Sequence, residues 1–118
     1  MDYLVVLVTV PARIGVVSLV QALLVQRSIA GANVLPAVAT WYRDAQGIHE
    51  TQEALLVCRT HPTCLAALRE GIRAVVGDDD FEISPLPVQA ANSAYTAWIQ
   101  QALDPAQPPA ADGASHTP

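Results

Sequence analysis

Apolar residues near the start of the chain follow two different periodicities. Residues 3–10 form a run rich in valine and leucine that ends at Pro11, which predicts a strand with apolar side chains on both faces. Between residues 12 and 29 the apolar positions recur at helical spacing, as in Val20 and Leu23, which predicts an amphipathic helix. The chain is therefore expected to begin with a strand followed by a helix.

A long hairpin is predicted next. Residues 32–42 and 48–60 are rich in β-branched and aromatic residues, and the sequence RDAQG between them has the composition of a turn. Pro36 lacks the backbone N–H that a strand donates to its neighbour, so it predicts a bulge or an edge position on the first arm of the hairpin.

The second half of the chain repeats the helix-then-strand pattern. Pro62 suits the first turn of a helix that continues to a stop at Gly77, and residues 81–88 predict a short strand bounded by proline. A last helix is predicted from about residue 92 to residue 103. Residues 104–118 are rich in proline and alanine and are expected to form a disordered tail.

This order of elements, β-α-β-β-α-β with an additional C-terminal helix, predicts an α+β fold of the split β-α-β type in one domain, residues 1–103. Right-handed crossovers then place both main helices on one face of an antiparallel sheet. The other face is apolar as well, and soluble monomers rarely expose an apolar surface of that size. We therefore expect an oligomer that buries the second face, with the hairpin arm exchanged between subunits.

Charge and cysteine content exclude several classes of function. The 118 residues carry a net charge of -5, which opposes binding to nucleic acids and to anionic membrane surfaces. The N-terminal apolar run is too short to span a bilayer and carries Asp2 where a secretory signal would carry positive charge. Together with two cysteines and no export signal, this predicts a cytoplasmic protein with reduced thiols.

The acidic stretch GDDDFEI is the first candidate site. In an extended segment Asp78, Asp80 and Glu82 share one side, and with Asp79 they offer oxygen ligands suited to Mg, Ca or Mn. The alternative is a solvated, unliganded connection after a helix. Arg59, Arg69, Arg73 or a residue of a neighbouring subunit is then the group that offsets its negative charge.

The sequence CRTHPTC supplies a second candidate. Cys58, His61 and Cys64 are the ligand types that Cu and Zn prefer, although hard cations on the acidic stretch are the better fit to this chain. Pro62 separates a strand from a helix at this point, so the alternative is a buried cysteine and a capping histidine.

The hairpin tip carries exposed aromatic and basic residues. Trp41, Tyr42 and Arg43 are expected to pack against another subunit or to stack on a bound ligand. His49 and Glu50 are adjacent in a strand and face opposite ways, which discourages a shared site. No motif for nucleophilic, phosphate-binding or metallopeptidase chemistry is present, so the sequence predicts a protein that is not an enzyme.

Several segments, in order and without gaps, resemble one family. They are LVVLVTVP at the start, Arg27 with NVLP after the first helix, Tyr42, Glu50 and Glu53 with LLVCRT, and Glu82 with LPV, Tyr95 and Trp98. On these residues the chain resembles the CutA family of divalent-cation-tolerance proteins. The resemblance implies a trimer of ferredoxin-like subunits related to the PII signalling proteins, and a role in tolerance to divalent cations.

The chain departs from the resembled family at four points. Gly31 replaces the family's cysteine, Asp44 replaces a tryptophan, and Arg59 replaces the lysine that closes the third strand. The family's His-Pro-Tyr-Glu motif falls on residues 76–79, where the imidazole is lost. A soft-metal site of the family type is therefore not expected.

The sequence thus leads to three hypotheses for function. The first is a trimeric binding or regulatory protein that responds to divalent cations, with no cofactor assigned beyond a possible cation. The second is a PII-like sensor that binds a nucleotide or small anion between subunits, contacted by Arg59, Tyr42 and Arg43, and the third is a structural trimer without a ligand. The residues expected at the subunit interface are Pro36, Trp41, Tyr42, Tyr95 and Trp98.

Overall fold

The computed structural model describes residues 3–106 and confirms the predicted order of elements. Its four strands form one antiparallel sheet in the order β2-β3-β1-β4. Only residues 104–106 of the predicted tail lie within the described part of the chain. The elements are β1 (Leu4–Pro11), α1 (Val16–Val25), β2 (Gly31–Asp44), β3 (Gly47–Thr60), a 3-10 turn (Pro62–Cys64), α2 (Leu65–Val76), β4 (Glu82–Pro87) and α3 (Ser93–Leu103).

No helix among residues 3–106 has the length and apolar character needed to cross a membrane.

The main core lies between the sheet and the helices α1 and α2. Side chains alternate along the two central strands, so every second residue from Val6 in β1 and from Ala54 in β3 points towards the helices and is buried. Each helix contributes its apolar stripe to the same cluster. The fully buried members are Val6, Val8 and Val10 of β1, Leu56 and Cys58 of β3, Leu19 and Leu23 of α1, and Leu68 and Ile72 of α2.

The opposite face of the sheet, which we call the open face, is covered at one end only. There α3 packs Ile99 against Tyr3 and Ala30 in a second, smaller cluster. The ring of Trp98 lies directly on Gly31, where an added Cβ atom would meet a ring carbon at 2.9 Å. The rest of the open face is apolar and only partly buried, in agreement with the expected apolar second face. Its exposed or half-buried members are Leu7, Leu35, Leu55, Val57 and Leu86.

The hairpin extends beyond the sheet as a two-stranded arm. Pairing of β1 with β3 ends at Pro11 and Glu53, whereas β2 and β3 stay paired from Val38 to the turn. A register shift between Leu35 and Val38 marks a bulge at Pro36, and β2 is an edge strand, so both predicted positions of this proline are confirmed. Within residues 3–106, the arm is therefore two strands wide and no third strand pairs with it.

Helix α1 is shorter than the predicted span of residues 12–29. It ends at Val25 because Arg27 adopts a left-handed conformation with φ of 59°. The N–H of Ser28 donates to the carbonyl of Leu23 at 3.1 Å, which completes a Schellman termination usually made by glycine. The side chain of Arg27 donates to the carbonyl of Ala102 at 3.3 Å, and thus links the end of α1 to the end of α3.

The contact of α1 with α2 depends on the absence of a side chain at Gly71. A Cβ atom at this position would lie 2.9 Å from Leu23 Cδ2 and 2.9 Å from Gln26 Oε1. We expect Gly71→Val to lower the free energy of unfolding by about 1–3 kcal/mol in urea titrations, because the added atoms force the two helices apart. Gly15→Ala is the control, since nothing lies within 4 Å of its Cβ position. Equal stability of Gly71→Val and the wild type would contradict this account of the contact.

Candidate functional site

The acidic stretch forms a turn between α2 and β4. Helix α2 ends at Gly77, as predicted, with the left-handed φ of 91° that glycine adopts readily. The carboxylate of Asp78 accepts the N–H of Asp80 at 2.8 Å, and the carbonyl of Asp79 accepts the N–H of Phe81 at 2.8 Å. The expectation of an extended segment with alternating sides is therefore wrong here, because these two bonds fold residues 78–81 into a turn.

Arg73 offsets part of this negative charge. Its guanidinium lies 2.7 Å from Asp79 Oδ1 and 2.9 Å from Glu70 Oε1. The side chain of Asp79 is 77% exposed, so this ion pair contributes little to stability. This ion pair agrees with the alternative prediction, in which an arginine offsets the negative charge of the stretch.

A cation on the acidic stretch stays a prediction. Glu82 begins β4 and is exposed, as are the three aspartates. Within residues 3–106, no group of three or more His, Cys, Asp or Glu side chains is placed to hold a metal ion. A cation bound by Asp78, Asp79, Asp80 and Glu82 therefore requires rearranged carboxylates, water ligands or a group from another subunit.

The cysteine and histidine candidates are divided between two environments. Cys58 lies in the main core, where burial raises the pKa of its thiol to about 12 despite the opposing charge of Arg59. His61 caps the 3-10 turn by accepting the N–H of Thr63 on Nδ1 at 3.1 Å. Cys64 is half-buried at the start of α2. The structure does not bring Cys58 together with the other two residues.

His61 and Cys64 do share an open pocket of about 300 Å³ with the C-terminal end of α3. Thr63, Gln100, Leu103 and Asp104 complete the lining. The lone pair of His61 Nδ1 is already used by the cap, which leaves Nε2 of the neutral ring as a hydrogen-bond donor. The pocket therefore lacks a free imidazole ligand facing a thiol.

The arm presents different residues on its two faces. On one face, the ring of His49 stacks on Tyr42 with 5.2 Å between centroids, and its Nε2 lies 2.8 Å from Asp44 Oδ1. On the other face, Trp41 is 67% exposed and Ile48 is 72% exposed. The exposed aromatic tip expected from the sequence is confirmed, and both predicted roles for it require a molecule outside the chain.

Arg59 lies on the open face, near its α3-covered end. Its guanidinium donates to the side-chain oxygen of Asn33 and, at 3.2 Å, to the carbonyl of Val57. Tyr42 pairs with His49, ten residues from Arg59 along β3, so about 33 Å of extended strand separates the two regions. One chain therefore does not bring Arg59 near Tyr42 and Arg43.

Tyr95 and Trp98, two of the residues predicted at the interface, pack against each other within their own chain. The ring centroids of Tyr95 and Trp98 lie 5.3 Å apart, and that of Tyr3 lies 6.2 Å from Tyr95. Both Tyr95 and Trp98 remain half-buried, so part of each ring is still accessible. Their predicted role in an interface is therefore compatible with a role in fixing α3 on the sheet.

Three polar partners of the candidate residues were not predicted from the sequence. Asn33 binds Arg59, Asp44 binds His49, and Asp104 lines the pocket of His61 and Cys64. Of the three, only Asp44 could have been found from the local sequence, because a two-residue turn places it diagonally across the hairpin from His49. The other two depend on strand register and on the position of α3, which no local pattern specifies.

The chain matches the family described as "CutA1 divalent ion tolerance protein" over residues 4–102. The "Divalent-cation tolerance protein CutA" of Thermus thermophilus is 31% identical over 97 residues, which cover 82% of this chain and 94% of that protein. "Protein CutA" of Bos taurus is 29% identical over 68% of this chain, and the match spans 46% of its own length.

Solved structures of similar fold carry related names. CutA1 from Oryza sativa superimposes with a TM-score of 0.81 at 25% identity, over 90% of this chain and 97% of that chain. The divalent cation tolerance protein from Thermus thermophilus gives a TM-score of 0.74 at 31% identity, over 84% of this chain and 95% of that chain.

The different burial of the two thiols predicts different reactivity. We expect a disulfide reagent at pH 8 to modify Cys64 in the folded protein and to leave Cys58 unmodified until the chain unfolds. Cys64→Ser is the control and should show no rapid reaction. Because folding raises the pKa of Cys58 from 9.0 to about 12, its contribution to stability is present below pH 9 and is lost as the pH rises towards 12. Rapid modification of both thiols in the native protein would contradict the assigned burial.

Proposed function

The chain belongs to the CutA1 family of divalent ion tolerance proteins, and from this premise we propose that it is a trimeric binding protein that responds to divalent cations. Its role is binding and regulation rather than catalysis. Two free cysteines, Cys58 and Cys64, are consistent with the reducing conditions of the cytoplasm, which is the proposed location. The proposed trimer is supported mainly by the apolar open face, which needs to be covered.

Assembly into a trimer would cover two surfaces that water otherwise contacts. On the open face, Leu35 and Leu86 are more than two-fifths exposed although both lie in strands. A two-stranded ribbon such as the arm is marginally stable alone, and its tip exposes Trp41 and Ile48. Packing these residues against a neighbouring subunit removes apolar surface from water and supports both strands.

The proposed cation ligands are the carboxylates of the acidic stretch. Asp78, Asp79, Asp80 and Glu82 provide oxygen atoms only, which suits Mg, Mn or Ca. Cu or Zn at His61 and Cys64 has weaker support, because the ring of His61 is used as a cap. Before a cation can bind the aspartates, two interactions must break: the hydrogen bond from the N–H of Asp80 to the carboxylate of Asp78, and the ion pair between Arg73 and Asp79.

An anionic effector bound between subunits is the second candidate. The observation that favours it is Arg59, whose guanidinium is half-buried and contacts only neutral oxygens within the described part of the chain. A phosphate or carboxylate is the natural partner of such a group. Tyr42 and Arg43 would have to come from the arm of a neighbouring subunit.

Light scattering tests the assembly directly. We expect the purified protein to have three times the mass of one chain, because the open face and the arm need cover. Trp41→Ser with Ile48→Ser should weaken the trimer, whereas Val17→Ser, which changes an exposed residue of α1, should leave it intact. A wild-type monomer would refute the proposed assembly.

A thermal-shift panel on the assembled protein tests the ligand. We expect Mg or Mn to raise the melting temperature of the wild type and to have no effect once Asp78, Asp79 and Asp80 are changed to asparagine. Glu70→Gln is the control, since it removes a nearby exposed carboxylate outside the acidic stretch.

The same panel separates the alternatives. No shift with Mg, Mn, Ca, Cu or Zn would refute the cation proposal and favour a structural trimer. A shift with ATP or AMP that disappears in Arg59→Ala would instead support the effector.

A further inference from the structure

The charged residues of the open face lie at its two ends. Arg59 is directly opposite Val5 of β1, while Glu53 is opposite Pro11 and Glu82 is opposite Thr9. These β1 positions have the same parity, so all three charged side chains share the face that points away from α1 and α2. Glu53 and Arg59 are six residues apart on β3, a distance of about 20 Å.

Among residues 3–106, none of these three charges forms an ion pair with an opposite charge. The ion pairs among residues 3–106 involve other side chains, and the interactions of Arg59 are those with Asn33 and Val57. Arg59 and Glu53 are both already half-buried in the single chain. The open face therefore carries an uncompensated cation at one end and uncompensated carboxylates at the other.

The surface between the two ends carries no charged side chain and is mainly apolar, with Thr9, Ser84 and Asn33 as its polar members. Leu7, Leu55 and Val57 are half-buried and lie in the central strands between Arg59 and Glu53. Covering this strip with another protein surface removes water from the charges at its ends as well. A charge that loses its water without a partner opposes association strongly, so the covering surface must supply carboxylates for Arg59 and a cation for the glutamates.

A second copy of the chain meets both requirements. In a closed ring each subunit presents one end of the face to one neighbour and the other end to the next. We propose that, in the assembly put forward above, Arg59 of each subunit pairs with Glu53 or Glu82 at the acidic end of the next subunit. The inference rests on the proposed trimer and assigns the charged contact that sets the orientation of the subunits. It also explains how copies that each carry a net charge of -5 associate through this face.

Charge reversal and charge exchange test the pair. We expect Arg59→Glu to raise the protein concentration at which the trimer dissociates by at least tenfold, because it brings like charges together. Adding Glu53→Arg or Glu82→Arg to the Arg59→Glu variant should restore assembly. The exchange that does so identifies the glutamate that contacts Arg59. Arg73→Glu, which reverses a charge in an exposed ion pair of α2, is the control and should assemble like the wild type.

Circular dichroism and light scattering at low and high salt are measured on each variant. Should Arg59→Glu fail to fold, Arg59→Gln removes the charge without repulsion, and its trimer should dissociate more readily and lose the salt dependence of the wild type. The pair is overturned if the wild type is a trimer and both Arg59 variants assemble unchanged, or if neither exchange restores assembly. It is likewise overturned if ATP or AMP shifts the melting of the wild-type trimer but not that of Arg59→Gln. A monomeric wild type overturns the trimer itself and is recognised before any variant is made.

Discussion

The structure depends on a sheet whose two central strands are apolar on both faces while its main helices cover only one. Val6, Val8 and Val10 of β1 are fully buried under α1 and α2, while Val5 and Leu7, which alternate with them, point the other way. Apolar side chains on both faces make the strands prefer a buried environment on each side. Everything on the open face, from the position of α3 to the placement of charge, follows from the need to cover it.

Helix α3 meets part of this need, and two contacts keep it in place. Trp98 lies on Gly31, where no side chain interferes, and Arg27 reaches the carbonyl of Ala102 at the end of the helix. Arg27 adopts a left-handed conformation that costs an L-residue free energy, and a glycine there would lose the side-chain contact. The covered end of the open face is thus specified by residues from three elements, and the uncovered remainder is left for a neighbour.

The candidate sites differ in how far one chain completes them. The acidic stretch has its charge partly offset by Arg73, and the carboxylate of Asp78 accepts a backbone N–H, so cation binding competes with an existing turn. Arg59 has no such competitor, because its contacts are neutral. Within residues 3–106, this guanidinium forms hydrogen bonds but no ion pair.

Local patterns were sufficient for the elements, the fold class and some single positions. The periodicities of residues 3–60 specify a strand, a helix and a hairpin, and the chemistry of Pro36 and Gly77 specifies a bulge and a helix end, because each of these depends on one residue and its immediate neighbours. The end of α1 at Val25 was not predicted, since it depends on a left-handed Arg27 whose side chain donates to a carbonyl 75 residues away. Likewise, the sequence left open whether Cys58 is a metal ligand or a buried cysteine, and strand parity places it in the core. Which charges meet and which remain uncompensated is a property of register and packing, because these interactions join residues that are distant in sequence.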